Sequence, residues 1–224
     1  MLTVSNLKIY ELEESIIACR NAMRTELPEY TKEEFEKSLK RAIILAYTPS
    51  NSGHATFLTG IRVAFDIVYP NYISPELQRY HWIDIVTSSS KMHRLLQMDL
   101  NMSCNEYVTE ESIAEMRKHI DRYNEINKDS DVGTWKFELR NGVTKIATTK
   151  SEALYYAFMM CISNCVQGIE LFMRVNTNYM QLKNIYAQRR HHKLKEDWGN
   201  FCAMIESLPY FHEFIEPKID KCHE

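Results

Sequence analysis

Residues 176–193 read NTNYMQLKNIYAQRRHHK, and the assignment of this stretch decides how the chain folds. Asn178, Gln181, Asn184, Gln188 and the Arg189-Arg190 pair are threaded among aliphatic and aromatic residues. A surface helix normally sorts such residue types onto separate faces. Read as a helix, the stretch offers Met180, Leu182, Ile185 and Tyr186 as packing positions. Asn178, Gln181 and Gln188 then share one broad sector, and Asn178, Asn184 and Arg189 share another. Amides read ring edges with one donor and one acceptor, and a guanidinium grips phosphate with paired hydrogen bonds. That combination suits a nucleotide. The plain alternative is a solvated amphipathic helix whose basic end, QRRHHK, complements the helix dipole.

Working outward, the pattern from Lys150 onward predicts helix almost throughout, broken near residues 175 and 194 and stopped by Pro209. Just upstream, TWKFELRNGVTKIATT (134–149) has two alternating runs around Asn141-Gly142, which predicts a β-hairpin. A charged helix is expected near Thr109 to Asn127. Another, PELQRYHWIDIVTSS (75–89), starts well with Pro75. GIRVAFDIVY (60–69) is β-branched and aromatic, so a strand is expected there, ending at Pro70. TPSNSGHATF (48–57) reads as a loop. KEEFEKSLKRAIILA (32–46) has apolar residues at helical spacing, with Thr31 as N-cap and Glu34 completing a capping box. A strand from Val4 to Tyr10 and a helix over ELEESIIACRNAM (11–23) open the chain. There is no internal repeat, low-complexity tract or Pro/Gly linker. The expected class is α+β: one helix-rich domain over residues 1–224 with a small antiparallel sheet.

Composition removes several function classes. The 224 residues are 45% hydrophobic and 25% charged, with a net charge of -3, which opposes non-specific nucleic-acid binding. No run of about 18 apolar residues predicts a membrane span. MLTVSNLKIYELEES turns acidic where a signal peptide would be apolar. Cysteines 19, 104, 161, 165, 202 and 222 form no CxxC pair and read as reduced thiols of a cytoplasmic protein. Cys161 and Cys165 share a helical face and are expected in the core. HExxH, GxSxG, GxxxxGK[ST] and GxGxxG are all missing, and the neighbours His191 and His192 point in different directions on a helix, so metal and covalent catalysis are not expected.

Two further clusters carry polar chemistry. In LQRYHWIDIVTSSSKMHRL (77–95), Gln78, His81, Ser88 to Ser90 and Arg94 gather an amide, an imidazole, hydroxyls and a guanidinium; serines with Arg94 are able to hold a phosphate. A helix end capped by serines is the simpler reading. In NSGHATF (51–57), a loop of small residues presents His54.

Taken together, these motifs resemble the flavin-dependent thymidylate synthase family. Its late helix carries Asn, then Leu four residues on, Asn six on and Arg eleven on, matched here by Asn178, Leu182, Asn184 and Arg189. A flavin-contacting histidine, a strand and a Gln-led motif similar to Q-x-x-R-H-R-x-x-S-x-N-E-x-S-x-R-Y are matched by His54, GIRVAFDI and QRYHWIDIVTSSSKMHR. The order of elements agrees over about residues 4 to 207. The chain departs from the pattern at the triplet, where Arg79-Tyr80-His81 stands for Arg-His-Arg, and at the Asn-Glu pair, replaced by serines. The resemblance implies a homotetramer with FAD and dUMP at subunit interfaces. Uracil C5 would be methylated from methylenetetrahydrofolate, with NADPH as hydride source. It gives Arg189 the role of stabilising charge on the pyrimidine, puts Gln78, Ser90 and Arg94 on dUMP, and puts His54, Arg79, His81, Asn178 and Asn184 on the flavin. The rival expectations are a non-catalytic nucleotide binder of the same fold, as a sink or regulator, and an unrelated helical interaction module.

Overall fold

A computed structural model describes residues 1–48, 52–131 and 133–217. In chain order the elements are β1 (Thr3–Tyr10), α1 (Leu12–Ala18), α2 (Lys32–Ala46), α3 (Phe57–Gly60), β2 (Arg62–Pro70), α4 (Ser74–Leu77), β3 (Asp84–Ser88) and α5 (Lys91–Arg94). Then come α6 (Leu100–Ser103), α7 (Glu110–Lys128), β4 (Trp135–Glu138), β5 (Thr144–Ala147), α8 (Lys150–Ser163), β6 (Glu170–Asn178), α9 (Tyr179–Arg189) and α10 (Lys195–Glu206). Helices dominate beside small sheets, the expected α+β class. The described residues fall into two compact units, one of Met1–Tyr69, Ile73–Ser88 and Phe172 onward, the other of Pro70–Tyr72 and Ser89–Leu171.

In the first unit a four-stranded sheet runs in the order β1-β2-β6-β3, with β1 antiparallel to β2 and β3 antiparallel to β6. A bulge interrupts β1 between Ser5 and Lys8, where Asn6 takes a left-handed backbone that asparagine tolerates. Val63, Phe65 and Ile67 of β2 and Met173 and Val175 of β6 are buried, beside Trp198 and Phe201 of α10. Phe65 and Trp198 each meet Phe201 edge-on, with ring centroids 5.8 and 5.6 Å apart. The Thr31 cap forms as expected, its Oγ1 accepting from Glu34 N at 3.2 Å with α2 beginning one residue later, whereas the Glu34 carboxylate, expected to complete a capping box, turns to Arg20, Arg24 and Ser38.

Two strands replace predicted helix. Residues 75–89 are helical only to Leu77, and Asp84–Ser88 pair with β6 in the register Asp84↔Asn176 to Ser88↔Met173. The β-branched run Ile85-Val86-Thr87 favours this outcome. Within β6, Met173, Val175 and Thr177 are buried while Phe172, Arg174 and Asn176 are not, the period of two that a strand requires. Helix α9 therefore starts at Tyr179 and not at Asn176. The predicted helix over 11–23 also shortens, to α1 and a separate 3₁₀ turn at Asn21–Met23. Within TPSNSGHATF, positions 49–51 lie outside the described residues, His54–Thr56 form a 3₁₀ turn and Phe57 already belongs to α3.

In the second unit α7 and α8 pack around Ile113, Met116, Ile120 and Cys161, with Cys165 against the same cluster. Cys161 sits in the core as expected, but α8 ends at Ser163, so Cys165 shares no helical face with it and is only half-buried. The hairpin forms with Trp135↔Ala147 through Glu138↔Thr144 in register. Its turn places Gly142 at φ 79°, where a side chain would be strained. Trp135, Phe137 and Ala147 cover Ala153 and Ala157 of α8.

Candidate functional site

The polar residues of the opening stretch separate into distinct tasks. Asn178 ends β6 and caps α9, its Oδ1 accepting from Gln181 N at 2.9 Å. That cap fixes where the helix begins and hence where its last residue, Arg189, emerges. Of the expected packing positions Leu182, Ile185 and Tyr186 are buried and Met180 is half-buried; Gln181 is buried as well, and Asn184 is half-buried.

Arg189 is held on three sides. Its Nε donates to Tyr80 Oη at 2.6 Å and its Nη1 to Glu76 Oε2 at 2.9 Å. The guanidinium carbon lies 4.4 Å from the centre of the Trp198 ring, a cation–π stack. Trp198 Nε1 donates to the same Glu76 oxygen at 2.8 Å, and His192 Nε2 lies 3.8 Å from the other. The Arg189 and Glu76 side chains are 14% and 24% exposed, so the pair is screened far less than a surface bridge. Burial pushes the Tyr80 hydroxyl up in pKa against the opposing pull of Arg189, which keeps the phenol protonated and able to donate to Gln188 Oε1 at 3.1 Å.

Around Arg79-Tyr80-His81 the chain alternates. Tyr80 turns inward, whereas Arg79 and His81 are exposed. Gln78 is exposed at the end of α4, its amide donating to Ser74 Oγ at 3.2 Å. Sequence reasoning singled out Gln78, Arg79, His81 and Arg189 but missed Glu76, Tyr80 and Trp198. The available signal was weak: a carboxylate two residues before Gln78 and an aromatic two residues after it.

A second feature of the first unit lies around His54. A cleft of about 420 Å³ is lined by Ala18, Cys19, Ala22, Gly53, His54 and Thr56. A neighbouring cleft of about 750 Å³ shares Cys19, Ala22, Leu45 and His54 and adds Arg20, Lys37, Lys40 and Arg41. Among the described residues lining the two there is no carboxylate. Two of the cations answer acids outside the clefts, Arg20 to Glu34 and Lys37 to Glu33, each at 2.8 Å. Gly53, at φ 73°, makes the turn that exposes His54. Small residues make the space and cations rim it.

Ser90 and Arg94 belong to the second unit, Ser90 as the residue before α5 and Arg94 as its exposed last residue. Among the described residues, no group of three His, Cys, Asp or Glu is placed to hold a metal ion. No described helix is long and apolar enough to cross a membrane.

No protein-family model matches the sequence, and no curated protein matches it either. The structure, however, is similar to solved structures of the flavin-dependent thymidylate synthase of Helicobacter pylori complexed with FAD and dUMP. Two of these align over 96% of this chain and 96% of theirs, at 12% identity, with TM-scores of 0.55 and 0.59. This likeness establishes a shared fold.

Proposed function

We propose that this chain binds a pyrimidine nucleotide beside a flavin and methylates uracil C5 of dUMP, using methylenetetrahydrofolate and reducing equivalents from NADPH. The observation that carries the reading is the shared fold over 96% of both chains with enzymes complexed with FAD and dUMP. Arg189 at the end of α9 and His54 at the cleft are the residues proposed to act in it.

The residues present fit a flavin. The cleft at His54 is lined by Ala18, Ala22 and Gly53, which leave room for a flat ring, and the adjoining wall of Arg20, Lys40 and Arg41 complements a diphosphate. FAD, when bound, supplies the hydride that completes the transferred methyl group. His54 would lie against the ring, with Arg79, His81 and Asn184 as further contacts. Arg189 would donate to a pyrimidine carbonyl and stabilise the negative charge that develops on the base, the kind of fixed electrostatic contribution that usually dominates. No cysteine is asked to act as nucleophile: burial raises the Cys19, Cys161 and Cys202 thiols above their ordinary pKa, which keeps them protonated.

The test is direct. The purified protein should show flavin absorbance after incubation with FAD, and should release tritium from dUMP labelled at C5 when NADPH and methylenetetrahydrofolate are supplied. A colourless protein that still binds dUMP would support a second reading, a non-catalytic nucleotide binder. One observation favours that alternative: Arg189, the proposed catalytic cation, already faces the Glu76 carboxylate. If the site is shared between copies of the chain, dilution should weaken oligomer and ligand binding together, as measured by sedimentation and titration.

A further inference from the structure

Between the exposed Arg79 and His81, Tyr80 is turned inward, and the geometry gives it a task. We infer that Tyr80 and Glu76 are positioning residues that lock Arg189 in the orientation it presents to a ligand. The inference rests on the proposed role of Arg189 in pyrimidine recognition.

A phenol has one hydrogen to give. Tyr80 spends it on Gln188 Oε1 at 3.1 Å, so the lone pairs of Oη are left for Arg189 Nε at 2.6 Å. Glu76 Oε2 takes an Nη1 hydrogen at 2.9 Å and is itself fixed by Trp198 Nε1 at 2.8 Å. Two anchors on different nitrogens define the plane of a rigid guanidinium, and the Trp198 ring at 4.4 Å supports one face of it. The anchors use the Nε edge and one Nη1 hydrogen, so a ligand would be met by the Nη2 end of the fork. A flexible arginine would lose several rotamers on binding; this one has lost them already.

Two readouts test the lock, and one needs no nucleotide. In ¹⁵N-labelled protein the Arg189 Nε–H resonance, assigned by its disappearance in Arg189→Lys, should exchange slowly with water. In Tyr80→Phe, which keeps the ring and removes the oxygen, exchange should accelerate by about tenfold or more. Unchanged exchange would overturn the lock. Calorimetry with dUMP should then show affinity weakened roughly tenfold in Tyr80→Phe and more in Glu76→Ala than in Glu76→Gln, which retains an acceptor oxygen. A lowered melting temperature with unaltered dUMP affinity in Tyr80→Phe would make the contact merely structural and refute positioning. If the wild-type chain binds no pyrimidine nucleotide at all, the proposed function fails, and the exchange measurement still decides whether Tyr80 holds Arg189.

Discussion

The network at Arg189 and the clefts at His54 belong to the same unit yet are built on opposite plans. At Arg189 the hydrogen bonds that join Arg189, Glu76, Trp198, Tyr80 and Gln188 run from 2.6 to 3.1 Å, and the aromatic scaffold beneath is sealed, with Trp198 fully buried. At His54 the lining is small and open, and the cations Lys40 and Arg41 stand on an exposed helix face. The first arrangement invests in fixed geometry. The second keeps space. A recognition site for a small base needs the former, and a pocket for a large planar cofactor needs the latter.

The contrast predicts where substitutions will register. Trp198→Ala should cost the most stability, about 3–5 kcal/mol, because a fully buried indole is lost along with its contacts to Tyr80, Phe201 and Glu76. Urea unfolding measures it, and a loss below 1 kcal/mol would show that the scaffold is not sealed as described. Arg189→Ala should weaken dUMP binding by roughly 1.5–3 kcal/mol, the scale of a charged hydrogen bond, while the fold survives. Equal calorimetric affinities would remove Arg189 from the site.

On the open side the effects should be smaller and of another kind. Thr31→Ala removes the cap of the helix that walls the larger cleft and should cost about 1 kcal/mol of stability, with dUMP affinity untouched. His54→Ala should leave stability within about 0.5 kcal/mol, since the side chain is exposed, but should reduce FAD binding. That FAD binding should already be salt-sensitive, because exposed cations facing a diphosphate are screened. Fluorescence titration at low and high salt checks both points; tight FAD indifferent to salt and to His54→Ala would move the flavin elsewhere. The smallest difference is in rate: Cys19, at the cleft, should alkylate before Cys161 and Cys202, whose thiols burial pushes up to about 11. Mass spectrometry after brief iodoacetamide treatment reads the order.

What could be read from the chain beforehand depended on whether the decisive information was local. The hairpin at Asn141-Gly142, the N-cap at Thr31 and helix α7 are specified by neighbours in sequence, and all three formed. Strands β3 and β6 stabilise each other across some ninety residues, so neither is evident alone. Glu170, Leu171 and Met173 are good helix formers in a helix-rich neighbourhood, and only tertiary pairing overrides that propensity. The site divides in the same way. Arg189 and His54 stood out because unusual residue types occur at telling spacings. Glu76, Tyr80 and Trp198 did not, because what recommends them is a meeting of α4, its following turn, α9 and α10 that no short window contains.

Asn178 caps α9 and Arg189 closes it, so the interval between them acts as a ruler of fixed length. Deleting or adding one residue inside it would swing the guanidinium by about 100° and shift it by about 1.5 Å, while leaving a perfectly good helix. Point substitutions on the half-exposed positions of that interval can therefore drift freely over evolutionary time, whereas insertions and deletions cannot. Among relatives of this chain, the spacing from the cap to the arginine should be more constant than the residues that fill it.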